Sequence, residues 1–165
     1  MKILKNILSL FAVVIATHLL LHSSVSVAQL VVTNGYICAP KNPGDEATRL
    51  FFRQTDGAAV NLSRTATFPI VCPVVVHYSD FSHAVGVRVG NGNTFTQNLA
   101  CALEEYGGGA NKVRTYGRSI SLPGGFTNSI IWENIRLASY NTGNYLVVRC
   151  ILPPLGYITT VAWNE

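Results

Sequence analysis

No stretch of this sequence sustains a helical period, no Cys-x-x-Cys pair occurs, and no long apolar run returns after the N-terminal segment. The missing helical period excludes bundles and coiled coils. The missing Cys-x-x-Cys argues against a zinc or thioredoxin-type motif. Without a second apolar run, no membrane span is expected beyond the N-terminus. Gly-x-Ser-x-Gly is also absent, which removes the strand-to-helix elbow of a serine nucleophile. The charge excess is small: 12 Lys and Arg against 8 Asp and Glu. A dedicated nucleic-acid binder would show a clustered basic face, so nucleic acid is not an expected partner.

The N-terminus reads as a processing signal. Lys2 and Lys5 form a positive start, Ile7 to Leu21 is apolar with few interruptions, and Ser26-Val27-Ala28 supplies small residues for cleavage. The run is shorter than the ~20 residues a membrane span needs. Residues 1–28 are therefore expected to be a signal peptide, with Gln29 first in the mature chain. No cysteine follows the cleavage site to take a lipid anchor. Two of the lysines leave with the leader, so ten basic side chains face eight acidic ones, a net of +2. The expected location is secreted or periplasmic.

Residues 29–165 suit a single domain. A chain of about 137 residues buries roughly two thirds of its unfolded surface. All four cysteines, Cys38, Cys72, Cys101 and Cys150, lie after the leader. An even number in an exported chain reads as two disulfides, with three pairings open. The preferred pairing is Cys38–Cys72 with Cys101–Cys150, each joining strands that can be neighbours.

Short β-prone stretches recur, separated by turn signals such as Asp56-Gly57, Asn91-Gly92, Gly107-Gly108-Gly109 and Pro123-Gly124-Gly125. The predicted fold is all-β: a two-sheet antiparallel β-sandwich, with a jelly-roll-like variant as the alternative. Phe68 to Tyr78 is the most apolar strand, and Pro69 and Pro73 complicate it, because proline cannot donate to a sheet ladder. Either this is an edge strand with its proline positions facing away from the neighbour, or it bends at Cys72-Pro73 and crosses between sheets. The triple valine Val74–Val76 favours the bend, being too apolar for an exposed edge.

An early cysteine (Cys38), Val71-Cys72-Pro73, the Tyr145-to-Pro153 strand carrying Cys150, and a terminal Trp163-Asn164-Glu165 follow one another in order. In this the chain resembles a group of small uncharacterised exported bacterial proteins. The resemblance spans most of the mature chain. It implies a compact disulfide-bonded all-β domain from a bacterial periplasm or medium, and it implies no activity and no site residue.

Chemistry-bearing residues are few. His77, Asp80 and His83 could supply imidazole and carboxylate to a transition metal. Their spacing matches no established motif, and an exposed polar loop accounts for them equally well. Glu104, Glu105 and Glu133 are the candidates for a glycosidase carboxylate pair. Glu104 and Glu105 are adjacent on a strand and so point to opposite faces, and a solvated surface role is expected for all three. Lys112, Arg114 and Arg118 read as a solvated strand edge. Asn61-Leu62-Ser63 fits a glycosylation acceptor, of no expected consequence in a bacterial protein. Aromatics cluster in the second half. Core packing is expected for most, with Tyr116, Phe126 and Tyr140 near turns as the candidates to stack on a sugar or anchor a partner.

These observations lead to an exported non-enzymatic domain that binds carbohydrate or a protein partner at the cell surface, with no cofactor and no assigned catalytic residue. The alternatives are a small secreted hydrolase and a purely structural envelope domain.

Overall fold

The computed structural model describes residues 30–42, 44, 50–53, 57–75, 83–107, 110–136 and 145–164. The predicted leader lies outside them. The strands are β1 (Leu30–Asn34), β2 (Ala39–Pro40), β3 (Leu50–Arg53), β4 (Ala58–Asn61), β5 (Phe68–Val74) and β6 (His83–Asn91). They continue as β7 (Gln97–Tyr106), β8 (Lys112–Leu122), β9 (Thr127–Ile135), β10 (Tyr145–Leu152) and β11 (Gly156–Asn164). Two antiparallel sheets form. The six-stranded one runs β3-β4-β11-β6-β9, with β1 also paired to β11, and the five-stranded one runs β2-β5-β10-β7-β8. The predicted two-sheet sandwich is therefore the observed one.

Period-two alternation fills the space between the sheets. Val85, Val87 and Val89 of β6, with Ile130, Trp132, Ile158, Val161 and Trp163, face inward from the six-stranded sheet. Phe68, Ile70, Val74, Leu99, Leu103, Leu146, Val148 and Leu152 meet them from the five-stranded sheet. Each such side chain contributes about 1.5–3 kcal/mol on burial. The Trp132 indole N–H donates across the sandwich to the Tyr116 carbonyl at 2.9 Å, so the one polar atom on that ring is satisfied inside the core.

Few consecutive strands are hairpin partners. Of the neighbours in sequence, β3–β4 and β7–β8 pair with each other, while the chain otherwise changes sheets at each connection. Asn91-Gly92 is therefore not the hairpin its residues suggest, but the exit of β6 toward the other sheet. Two buried asparagines organise such exits. At the end of β4, the Asn61 amide donates to the carbonyls of Ala66, Leu152 and Pro153 at 2.9, 3.1 and 2.9 Å. Its own oxygen accepts the Ser63 N–H at 3.0 Å. At the end of β6, the Asn91 amide donates to Phe95 and Leu122 carbonyls at 2.8 and 2.9 Å, and its oxygen accepts the Asn93 N–H. Each side chain thus makes a turn of its own and ties a strand end to the opposite sheet. Asn61 is wholly buried, which leaves the glycosylation acceptor no access in the folded state.

Both disulfides take the preferred pairing, Cys38–Cys72 and Cys101–Cys150. They close loops of 34 and 49 residues, worth roughly 4 kcal/mol each in the chain-entropy account. Cys101–Cys150 lies within the five-stranded sheet, Cys38–Cys72 joins the residue before β2 to β5, and all four cysteines belong to the core. Cys101 and Cys150 are direct cross-strand partners with Cα atoms 4.1 Å apart. That is the close spacing of a non-hydrogen-bonded pair.

This pairing explains the prolines and corrects the expected bend. If Cys150 makes no ladder bond to β7, its backbone groups turn to β5, where its partner is Ile70. By alternation Ile70, Cys72 and Val74 bond to β10, while Pro69, Val71 and Pro73 direct their nitrogens the other way. On that side stands only the two-residue β2, paired at Ile70 and Val71, with Lys41 N–H donating to the Pro69 carbonyl at 3.1 Å. β5 consequently runs unbroken in one sheet from Phe68 to Val74. The strand is apolar on alternate positions because one face is core, and its prolines sit where no donor is needed.

Candidate functional site

The two outer faces of the sandwich carry different chemistry. On the five-stranded sheet, Glu104 faces outward from β7, opposite in direction to Glu105 as strand alternation requires. Neither is solvated as expected: Glu104 is 3% and Glu105 0% exposed. Glu104 Oε2 lies 2.9 Å from Arg149 Nη2, and Glu104 Oε1 lies 3.4 Å from Lys112 Nζ. The Tyr106 hydroxyl donates to Glu104 Oε2 at 2.8 Å, and Arg149 donates to that hydroxyl at 3.2 Å. The phenol of Tyr106 is held above its ordinary pKa, chiefly because it donates to Glu104 and also by burial. Its ring stacks on Tyr145, centroids 5.2 Å apart and planes 5° off parallel. Beside this network a shallow depression of about 450 Å³ crosses the sheet over Ala100, Ala102 and Gly117, between Arg149, Ser119 and Ile151.

On the six-stranded sheet the outward residues make a larger cleft of about 710 Å³. Its floor follows from one glycine. Tyr157 and Gly90 are cross-strand partners on β11 and β6, and a methyl carbon built on Gly90 would fall among the atoms of the Tyr157 ring. The ring therefore lies across the β6 backbone, where any other residue would lift it. Val60, Leu62 and Leu155 supply apolar walls, and Arg88, Thr127, Thr159 and Thr160 supply polar ones. β11 carries a bulge between Ile158 and Thr160, which places Thr159 and Thr160 together on the cleft. The Thr159 hydroxyl oxygen is buried and has no hydrogen-bond partner among the described residues. Arg88 Nη2 donates to Thr127 Oγ1 at 3.3 Å. A flat ring between hydroxyls and one guanidinium can bind a ligand that presents an apolar face and a polar rim.

The residues singled out in the sequence are dispersed. Phe126 is 62% exposed in the turn before β9, next in sequence to Thr127 of the cleft. Tyr116 is half-buried on β8 and packs against the core. Tyr140, His77 and Asp80 lie outside the described residues. His83 opens β6 and is not in a solvated loop: it is 2% exposed. Its Nδ1 lies 3.2 Å from the Asn164 carbonyl, while Nε2 is buried without a partner among the described residues. Glu133 is exposed on β9, in the other sheet from Glu104. Lys112, Arg114 and Arg118 do line the exposed edge strand β8. Tyr157 belongs to the aromatic cluster expected mostly in the core and instead lines the outer cleft, while nothing in the sequence marks Arg88 or Thr159 as site residues. The one available signal was the alternation of Arg88 with Val85, Val87 and Val89, which places it outward but pairs it with nothing.

No protein-family model matches the sequence, and no curated protein sequence matches it. Solved structures share the fold. The N-terminal CBM22-1–CBM22-2 tandem of Xyn10C from Paenibacillus barcinonensis is similar over 87% of this chain, with TM-score 0.59 and 12% identity. This chain spans about half of that one, 51%. The C-terminal CBM6 of LamC from Zobellia galactanivorans is similar over 83% of this chain and 100% of its own, with TM-score 0.51 and 12% identity. The CBM22-1–GH10 modules of xylanase 10B from Clostridium thermocellum, solved with xylohexaose, match over 80% of this chain and 26% of theirs, with TM-score 0.54 and 10% identity. At such identities the likeness is one of fold.

Proposed function

We propose that this chain is an exported, non-enzymatic carbohydrate-binding domain whose ligand lies in the cleft of the six-stranded sheet. The observation that carries the reading is the Tyr157 ring laid over Gly90, with Thr127, Thr159, Thr160 and Arg88 around it. A pyranose has an apolar face to set on a tyrosine and hydroxyls at its edge to meet the threonines. The fold shared with carbohydrate-binding modules supports the reading by analogy.

Sugar hydrolysis would need two carboxylates flanking the scissile bond. Among the described residues that line the cleft there is no acid, and Glu104 on the far sheet is already engaged by three donors. Residues 1–28 are read as the export signal, and two disulfides suit an oxidising compartment. N-terminal sequencing of the mature protein is expected to begin at Gln29, and a Met1 start would refute the leader.

The test of binding is a glycan array followed by calorimetry on the array hits. Specific oligosaccharide binding is expected, weakened about 30-fold by Tyr157→Ala, the size of a stacking hot spot. Absence of binding above background, or equal binding by the variant, would overturn the assignment.

A further inference from the structure

Arg88 differs from the cations held in the Glu104 network of the other sheet. Arg149 and Lys112 are paired with Glu104. Arg114 belongs to the exposed edge strand and donates to the Arg136 carbonyl. Arg88 stands on the outer face of β6, and among the described residues its hydrogen bonding goes to a neutral hydroxyl, Thr127 Oγ1. A guanidinium carries five N–H donors, so one bond to a threonine leaves most of them unused. Among the described residues Arg88 has no carboxylate partner, and it is the single charged side chain lining the cleft. The Tyr157 platform and the buried, unpartnered Thr159 oxygen flank the same space.

From this we infer that the cleft selects sugars bearing an anionic group, a carboxylate or a sulfate ester, and that Arg88 is the residue that reads it. This rests on the carbohydrate assignment above and adds the ligand class. The physical basis is the fork geometry of arginine, which meets two oxygens of a carboxylate or sulfate at once. A neutral sugar would use the stacking floor and the threonines but would leave the guanidinium charge uncompensated. The anionic sugar gains a charge-assisted pair with the exposed Arg88 guanidinium.

Calorimetry on the full chain with four probes tests the inference. These are an oligogalacturonate, the same oligomer fully methyl-esterified, a sulfated galactan oligosaccharide, and a neutral xylo-oligosaccharide. The oligogalacturonate or the sulfated oligomer is expected to bind at least about tenfold more tightly than the neutral probes, the size of one charged hydrogen bond. Whichever of the two is preferred identifies the source of the charge. Arg88→Gln is expected to lower affinity for the charged oligomer about tenfold and so erase the preference, with a smaller loss for the neutral probes, and Tyr157→Ala to weaken all probes together. Equal affinity for charged and neutral oligomers, or a preference that survives Arg88→Gln, would overturn the inference while leaving the carbohydrate assignment standing. No binding to any probe, with a blank glycan array, would remove both.

Discussion

The two outer faces of this sandwich hold the same kinds of side chain, tyrosine, arginine and hydroxyl, in opposite conditions. On the five-stranded sheet most of them are engaged around Glu104, with Arg149 Nε buried and unpartnered among the described residues. Glu104 accepts from Tyr106, Arg149 and Lys112, and Tyr106 is covered by Tyr145. On the six-stranded sheet Tyr157 floors an open cleft, and among the described residues Arg88 has no acidic partner and the buried Thr159 oxygen has no hydrogen-bond partner. Residue type alone therefore does not mark a binding face. A face whose polar groups already satisfy one another stabilises the fold, while one that leaves them unmet is suited to a ligand.

Substitutions should separate the two faces. The largest effect on stability is expected from Glu104→Ala, which leaves Arg149 and Lys112 without their counter-charge. Breaking a buried pair of this kind costs about 3 kcal/mol, toward the lower end of the range because both cations still reach water. Denaturant melts should show the loss, with glycan affinity unchanged. Equal damage to binding would join the faces into one site.

Tyr157→Ala is the converse. It should lower glycan affinity by the equivalent of about 2 kcal/mol, with a smaller shift in the melt. Gly90→Ala is expected to act in the same direction less severely, by lifting the Tyr157 ring off the β6 backbone, and a crystal structure of the variant would show the displaced ring.

The smallest effect concerns Tyr106. Its pKa lies above the ordinary 10.0 because Glu104 accepts its hydroxyl and burial disfavours the phenolate. The folded state therefore holds that proton more tightly than the unfolded chain. The resulting stability is complete below pH 10 and is lost as pH rises through the raised value. Tyr106→Phe should cost about 1 kcal/mol at neutral pH and flatten this alkaline loss in melts recorded from pH 8 to 11. An unchanged alkaline slope would show that Tyr106 does not carry it.

Much of the architecture was legible beforehand because strand periodicity and turn chemistry act locally. The core positions of β6 and β7 follow from alternation, and the preferred disulfide pairing, one of three left open, is the observed one. The continuity of β5 did not follow. Whether Pro73 breaks a strand depends on which side its nitrogen faces, and that is set by the register of β5 with β10. Asn91 read as a hairpin because Asn-Gly is a turn whichever sheet comes next. Glu104 and His83 read as solvated because a charged or polar side chain usually is, and only their neighbours from distant strands supply the cover.

A two-sheet β-sandwich held by two disulfides is legible in the chain alone, because alternation, turn residues and cysteine number are properties of short stretches and simple counts. Which face is closed and which is open depends on long-range pairing. Tyr157 and Gly90 are 67 residues apart and meet across one ladder pair, and Arg149 reaches Glu104 from a neighbouring strand. Whether a polar group is satisfied depends on partners that long-range pairing delivers, so the cleft became visible only once the strands were in register.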